Sequence, residues 1–305
     1  MSVVPAATQT TVRFWPPSAS QHSIPSPDGS LIASVFRDQL ILRSSSDGQT
    51  YHTFPLPSED SLPYRFLHWS SHDFRSGSRA TTRSVEVKKP LRILLGNDEL
   101  VRVYEVDNEQ WTAVIQGVSN NFGKIANVIF GADENEILVF SDFGVKVMIW
   151  SLGTSRGVEV RDPKSGWSYD IRPRTGHLAI LTRAGADDTL MLLSPGTHQM
   201  SKITKLQTVD AQGVRWSPDG RWIAVWDVAS CGYNIMVYTA DGHLFKTYDG
   251  GQTSDKISLG VRSLVWHPQS EFLAVGDFED GVTLLGKSTV RRRWRRAART
   301  VLTYC

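Results

Sequence analysis

Cysteine is scarce in this chain of 305 residues, occurring only at Cys231 and Cys305. Two thiols cannot build a disulfide framework, and without a Cys-x2-Cys pair the usual half-site for structural zinc is missing. Long apolar runs are absent as well: none approaches the roughly 18 residues of a membrane-spanning helix. No Asn-x-Ser/Thr acceptor occurs, and residues 1–11 lack the charged start and apolar core of a secretory signal. These absences point to a reducing compartment, cytosol or nucleus. Composition is otherwise ordinary, with 40% hydrophobic and 21% charged residues, so the class must be read from pattern.

Negative charge is missing from one end. Residues 286–305 hold Lys287 and six arginines but no Asp or Glu, so the formal net charge of +2 conceals a mildly acidic body over residues 1–285. A nucleic-acid face needs basic residues grouped on the folded surface, which that body does not offer. The run Arg291-Arg292-Arg293-Trp294-Arg295-Arg296 has three readings: a nuclear-localisation or nucleic-acid arm, an anchor on anionic lipid, or sequence with no selected role.

Catalytic signatures are also thin. No Gly-x-Ser-x-Gly elbow occurs. Gly281-Val282-Thr283-Leu284-Leu285-Gly286-Lys287-Ser288 formally matches a phosphate loop. Its middle four residues are strand formers, at a place where a repeat requires a strand, and a sheet ladder cannot also cradle a phosphate. His68 and His72, followed by Asp73, would need a helix to share a face, yet His68 ends a strand and His72 falls in a loop. Asp219, Asp241 and Asp280 each precede a glycine and are explained by turn formation. No catalytic, cofactor or metal residues are therefore assigned, no cofactor is expected, and the chain is expected not to be an enzyme. A propeller hydrolase or nucleotide-binding enzyme would need convergent polar residues that the sequence does not identify.

What is present is a repeat. Gly213-Val214-Arg215-Trp216-Ser217-Pro218-Asp219-Gly220, then Trp222-Ile223-Ala224-Val225, is echoed by Gly260-Val261-Arg262-Ser263-Leu264-Val265-Trp266-His267-Pro268, then Phe272-Leu273-Ala274-Val275. In both, an apolar strand runs into a proline turn and a second strand follows. Pro25-Ser26-Pro27-Asp28-Gly29 is a third copy, and Trp69, Phe130 and Ile171 mark the same post in degraded ones. The markers recur at roughly the 40–45 residues of a WD-repeat blade. One longer gap, after Trp69, contains a polar insertion at residues 73–89, read as a surface loop. Third strands are legible at residues 101–104, 145–150, 190–193 and 235–238, preceded by acidic turn residues Asp98, Asp142, Asp188 and, in the last copy, Asp280. The expected fold is all-β: a WD-repeat β-propeller over residues 22–285 with about six recognisable blades, a regular period that an ordinary β-sandwich would not keep. Trp150-Ser151 stands where a WD dipeptide would end a third strand, whereas Trp226-Asp227 closes a second strand and is out of position.

Trp216-Ser217-Pro218-Asp219-Gly220, Ala224-Val225-Trp226-Asp227, residues 235–242 and Ser270-Glu271-Phe272-Leu273-Ala274-Val275-Gly276 resemble, in the same order, segments of the WD-repeat-containing protein 8 family of centrosomal and spindle-pole proteins. The resemblance implies a non-enzymatic scaffold in the cytoplasm and cytoskeleton, at the spindle pole body or centrosome. It implies a coiled-coil spindle-anchoring partner, acting indirectly with a minus-end-directed kinesin to hold microtubule minus ends. Membrane, small-molecule and nucleic-acid partners are not expected, and the partner-contact residues stay unplaced. The alternative is a WD-repeat adaptor of another complex, in ubiquitin transfer or RNA processing. The family pattern continues beyond the strand ending at Leu285, whereas this chain passes into Gly286-Lys287-Ser288 and the arginine run. Residues 286–305 are therefore expected to be a basic tail without further strands, of the kind translated intron would give, leaving the propeller incomplete or open at that end. Residues 10–15 are the expected closing strand within the N-terminal segment 1–21.

Overall fold

The computed structural model describes residues 22–36, 38–58, 63–70, 89–116, 122–249, 260–278, 281–286 and the strand at 292–295. The expected closing strand at 10–15, the insertion at 73–89 apart from Lys89, and His72, Asp73, Asp280, Lys287 and Cys305 lie outside them.

Among the described residues the chain forms six four-stranded antiparallel sheets, each a simple meander in chain order. Sheet 1 contains β1 His22–Pro25, β2 Leu31–Val35, β3 Gln39–Ser44 and β4 Thr50–Pro55. Sheet 2 contains β5 Phe66–Trp69, β6 Arg92–Gly96, β7 Leu100–Glu105 and β8 Asn108–Gln116. Sheet 3 contains β9 Ile125–Phe130, β10 Glu136–Ser141, β11 Lys146–Ser151 and β12 Arg156–Arg161. Sheet 4 contains β13 Tyr169–Ile171, β14 Leu178–Ala184, β15 Asp187–Leu193 and β16 Met200–Lys205. Sheet 5 contains β17 Ala211–Trp216, β18 Trp222–Asp227, β19 Ile235–Thr239 and β20 Leu244–Tyr248. Sheet 6 contains β21 Val261–Trp266, β22 Phe272–Asp277, β23 Gly281–Gly286 and β24 Arg292–Arg295. Residues 1–63, with sheet 1, form one compact unit, and residues 64–305, with sheets 2–6, form a second.

All six sequence markers fall at one structural post. Pro25, Trp69, Phe130, Ile171, Trp216 and Trp266 are each the last residue of the first strand of a sheet. The turn chemistry explains why the chain reverses there. Ser217 donates from Oγ to Asp219 Oδ1 at 2.6 Å and accepts the Trp222 N–H at 3.0 Å, while Gly220 takes φ 68°. Ser26, Asp28, Leu31 and Gly29 repeat this arrangement, at 2.6 and 2.9 Å and φ 71°. In the last copy Ser270 stands in the left-handed position at φ 59°. Although its partial burial works against ionisation, hydrogen bonds from Ser217 and Arg221 hold the Asp219 carboxyl at about 2.

Burial follows strand position. The middle strands are apolar on both faces, as in β10, which is buried throughout, whereas the outer strands β16 and β20 are largely exposed. A strand covered on both faces reads as a continuous apolar run rather than an alternation. Within the second unit the cores lie between successive sheets. Leu94, Val101 and Val103 of sheet 2 pack with Ile125, Val128 and Ile137 of sheet 3. Leu138, Phe140 and Ile149 meet Leu178 and Ile180. Leu181 and Leu190 meet Val214 and Trp216, and Ala224 and Ile235 meet Leu264 and Val275.

Two expectations are corrected. The segment after Gly286 is not strand-free: Arg292–Arg295 pairs antiparallel with β23, Val282 opposite Trp294 and Leu284 opposite Arg292, giving sheet 6 its fourth strand. An arginine-rich stretch can serve there because an outermost strand needs backbone pairing more than two apolar faces. Asp188 is not a turn residue; it lies within β15, buried, with its carboxylate engaged by a lysine.

Candidate functional site

In each meander the connection between the second and third strands and the one leaving the fourth strand emerge at the same edge, here termed the loop edge. In sheets 3–5 this edge is fastened by buried charge. Lys164, on the connection from sheet 3 to sheet 4, places its ammonium 2.6 Å from Asp188 Oδ1 and also against Asp210. The Lys164 and Asp188 side chains are each only 5% exposed. Asp188 Oδ2 accepts the Ala211 N–H at 2.5 Å and the Thr208 hydroxyl at 3.1 Å. Asp227 accepts the N–H groups of Val209 and Asp210 at 3.2 and 3.1 Å and the Asn234 side chain at 2.7 Å. The connection at 206–210 is thereby tied to both sheets it joins. The Lys164 hydrogen bond, outweighing burial, lowers the Asp210 carboxyl below its usual range.

The opposite edge has its own ties. Arg92 reaches from sheet 2 to Glu134 and Asn135 of sheet 3. His198 of the β15–β16 turn meets Glu136 of β10 at 2.7 Å, both buried, and Glu136 Oε1 accepts the Ala132 N–H at 3.1 Å. Between the edges, Asp170 on β13 accepts the Trp216 N–H of β17 at 2.6 Å. Burial pushes its carboxyl up to about 6, against the pull of that N–H and of Arg215. A raised folded-state value favours the protonated form, so this contribution is fully present below about 4 and is lost as pH rises to about 6. Asp170→Asn keeps an acceptor for the Trp216 N–H without the charge. It should be more stable than the native chain at pH 7 by about 1–2 kcal/mol, allowing for partial exposure, with the advantage vanishing near pH 4. Urea unfolding across that range measures this directly.

Between sheets 5 and 6 lies a cleft of about 710 Å³ lined by Trp222, Met236, Phe245, Trp266, Phe272 and Leu285 among others. The rings of Trp222 and Phe245 are 4.7 Å apart. Its polar lining includes Lys246, Thr247, Asp249, Ser270 and Glu271. Among the described residues no group of His, Cys, Asp and Glu is arranged to hold a metal, and no helix is long and apolar enough to cross a membrane. His68 ends up in β5, its imidazole shifted down by burial alone. Gly281–Gly286 is strand β23, hydrogen-bonded to β22, so the formal phosphate loop has no loop over those residues.

No family model matches the chain. It is 25% identical over 265 residues, 87% of its length, to the mouse (Mus musculus) WD repeat-containing protein WRAP73, and covers 52% of that protein. An uncharacterized WD repeat-containing protein of Schizosaccharomyces pombe, C32H8.09, is also 25% identical, over 83% of this chain and 49% of its own. The chain thus spans about half the length of the curated relatives it matches. Among solved structures, the β-propeller domain of Myceliophteria thermophila Cps50 (Swd1) superposes with a TM-score of 0.53 at 12% identity, covering 90% of this chain and 86% of that one. The chain is a WD-repeat β-propeller. Each of its sheets is therefore a blade.

The sequence missed the residues that position the loop edge. Lys164, Asp188, Asp210 and Asp227 belong to no local motif, because, apart from Asn234 beside Asp227, the partners named above lie 17–46 residues away. One signal was available. Trp226 closes a second strand because its ring lies over Gly213 on the neighbouring strand, where an added Cβ would fall 2.1 Å from the indole. The Gly213–Trp226 pair accounts for the displaced dipeptide and leaves Asp227 free to fasten the connection beside it.

Proposed function

We propose that this propeller is a non-enzymatic scaffold at the spindle pole or centrosome, helping to anchor microtubule minus ends through a coiled-coil partner. The observation that carries the reading is the ordered resemblance of residues 213–285 to the spindle-pole WD-repeat family. The match to a WD repeat-containing relative over most of the chain supports it. Propellers suit such work because rigid blades display loops whose sequences can vary without disturbing the core. The buried ion pairs of blades 3–5 tie neighbouring connections to one another, which suits a surface that displays loops. The test is to tag the full-length gene product fluorescently and follow it through mitosis. Paired foci at the spindle poles are expected, and diffuse signal at every mitotic stage would overturn the assignment.

A further inference from the structure

We propose that the loop edge of blades 3–5 docks a lysine- and arginine-rich segment of a protein partner that also carries apolar side chains. This rests on the scaffold reading and adds to it a surface and a partner chemistry. The large hydrophobic residues exposed outside strands among the described residues are Phe143, Val145, Trp167, Val209 and Phe278; the first four lie on the loop edge of blades 3–5 and Phe278 on that of blade 6. None lies on the first-to-second or third-to-fourth strand turns of the opposite edge. Phe143 is 93% exposed, Val209 75% and Trp167 63%. Isolated exposed apolar residues are unremarkable, but apolar residues gathered on one edge mark an interaction surface.

Phe143 carries a further cost. It sits at φ 58°, a region that bulky residues rarely occupy, so its ring is held toward solvent by a conformation that costs on the order of 1 kcal/mol or more. The loops bearing these residues are continuous. The Asp162 N–H reaches the Val145 carbonyl at 3.1 Å, and a Cβ on Gly144 would stand 2.5 Å from the Pro163 oxygen. Lys164 joins the next connection through Asp210, and the Ser168 hydroxyl donates to the Gln212 carbonyl at 2.8 Å.

Charge selects the partner. Among the described residues the loop-edge connections of these blades carry Asp142, Asp162, Asp210 and Asp249 against Lys164, whose ammonium is buried between carboxylates, while Arg183 at the end of β14 lies 3.2 Å from Asp210. With Asp210 engaged by Lys164 and Arg183, Asp142 and Asp162 leave the described connections negative around a Trp and a Phe, whose ring faces also attract ammonium and guanidinium groups. The opposite-edge turns of the same blades are nearly balanced, with four acidic residues and three arginines. Nucleic acid and anionic lipid would be repelled by the loop edge, whereas a basic amphipathic segment matches both its charge and its apolar centre.

The test uses the full chain and two labelled synthetic peptides of equal length. One combines Lys and Arg with Leu and Trp; the other has Glu at every basic position. Binding is followed by fluorescence anisotropy at low and moderate salt. The basic peptide should bind, more weakly as salt rises, and the acidic one should not. Phe143→Ser with Trp167→Ser should weaken binding about tenfold or more with an unchanged melting temperature, since both side chains are already in solvent. Asp142→Asn with Asp162→Asn should weaken it less but flatten the salt dependence. Equal binding of the two peptides, no binding of either, or binding indifferent to both double variants would overturn the proposal. So would patch-dependent dimerisation, which would reassign the surface to a second copy of this chain. The outcomes separate from the spindle-pole test: a basic-peptide site without polar foci would leave the surface standing and remove the location, and foci without peptide binding would do the reverse.

Discussion

Lys164→Met should destabilise the propeller by roughly 3–5 kcal/mol, the range found when one partner of a buried ion pair is removed. The ammonium faces two carboxylates, and its own side chain and that of Asp188 are almost fully withdrawn from water. Without it, Asp188 keeps the Ala211 N–H and the Thr208 hydroxyl as donors but loses the ammonium that its buried charge faces. The loss should be concentrated at the junction of blades 4 and 5. Amide exchange should accelerate first over residues 162–168 and 206–211, before the buried strands β14 and β18 respond. Lys164→Met combined with Asp188→Asn should recover a good part of the loss, because the carboxylate that was stranded is no longer charged. Chemical unfolding of the two variants and the parent decides the matter. A single variant as stable as the parent would mean that the lysine is spent on desolvation alone. The loop edge should suffer with it: Trp167 lies three residues along the same connection, so Lys164→Met should also weaken the basic peptide at the proposed docking surface.

The sequence carried the blades because their information is local. A serine, a proline, an aspartate and a glycine within a few residues set each reversal by hydrogen bonds that do not depend on the rest of the molecule. The apolar middle strands were legible for the same reason. Pairings between blades were not, since Lys164 to Asp210 and Arg92 to Asn135 span distances along the chain that no short motif encodes. The expected end of strand structure at Gly286 erred for a different reason. Residues 292–295 are poor in apolar residues, and a pattern rule tuned to buried strands passes over such an outer strand. Asp188 was misplaced because an acidic residue beside a glycine-containing turn reads as part of the turn. Its burial became intelligible only with the lysine in view. The exposed Phe143 gave no sequence signal beyond a neighbouring aspartate and glycine.

Arg92→Ala should cost a similar 3–5 kcal/mol at a different junction. The guanidinium is 8% exposed and uses nearly all of its fork. Nε and Nη2 donate to Glu105 Oε2 at 3.1 and 2.9 Å, while Nη1 donates to the Glu134 carbonyl at 3.1 Å and to Asn135 Oδ1 at 2.6 Å. Its flat face lies 3.8 Å from the centre of the Trp111 ring. One side chain thus binds the third and fourth strands of blade 2 to the first turn of blade 3. Arg92→Lys retains the charge but not the planar fork, so it can satisfy Glu105 or the blade 3 acceptors and cannot hold both. An intermediate loss of about 1–2 kcal/mol is expected. Arg92→Met with Glu105→Leu removes both charges and leaves apolar surface against Trp111; it should be more stable than Arg92→Ala alone, because no buried carboxylate is stranded. Arg92 and Lys164 share no partner and sit at separate blade junctions, so combining Arg92→Ala with Lys164→Met should give losses that add within about 0.5 kcal/mol. A deficit well short of additive would mean that the junctions communicate through blades 3 and 4, and that the cores between those blades yield as one unit.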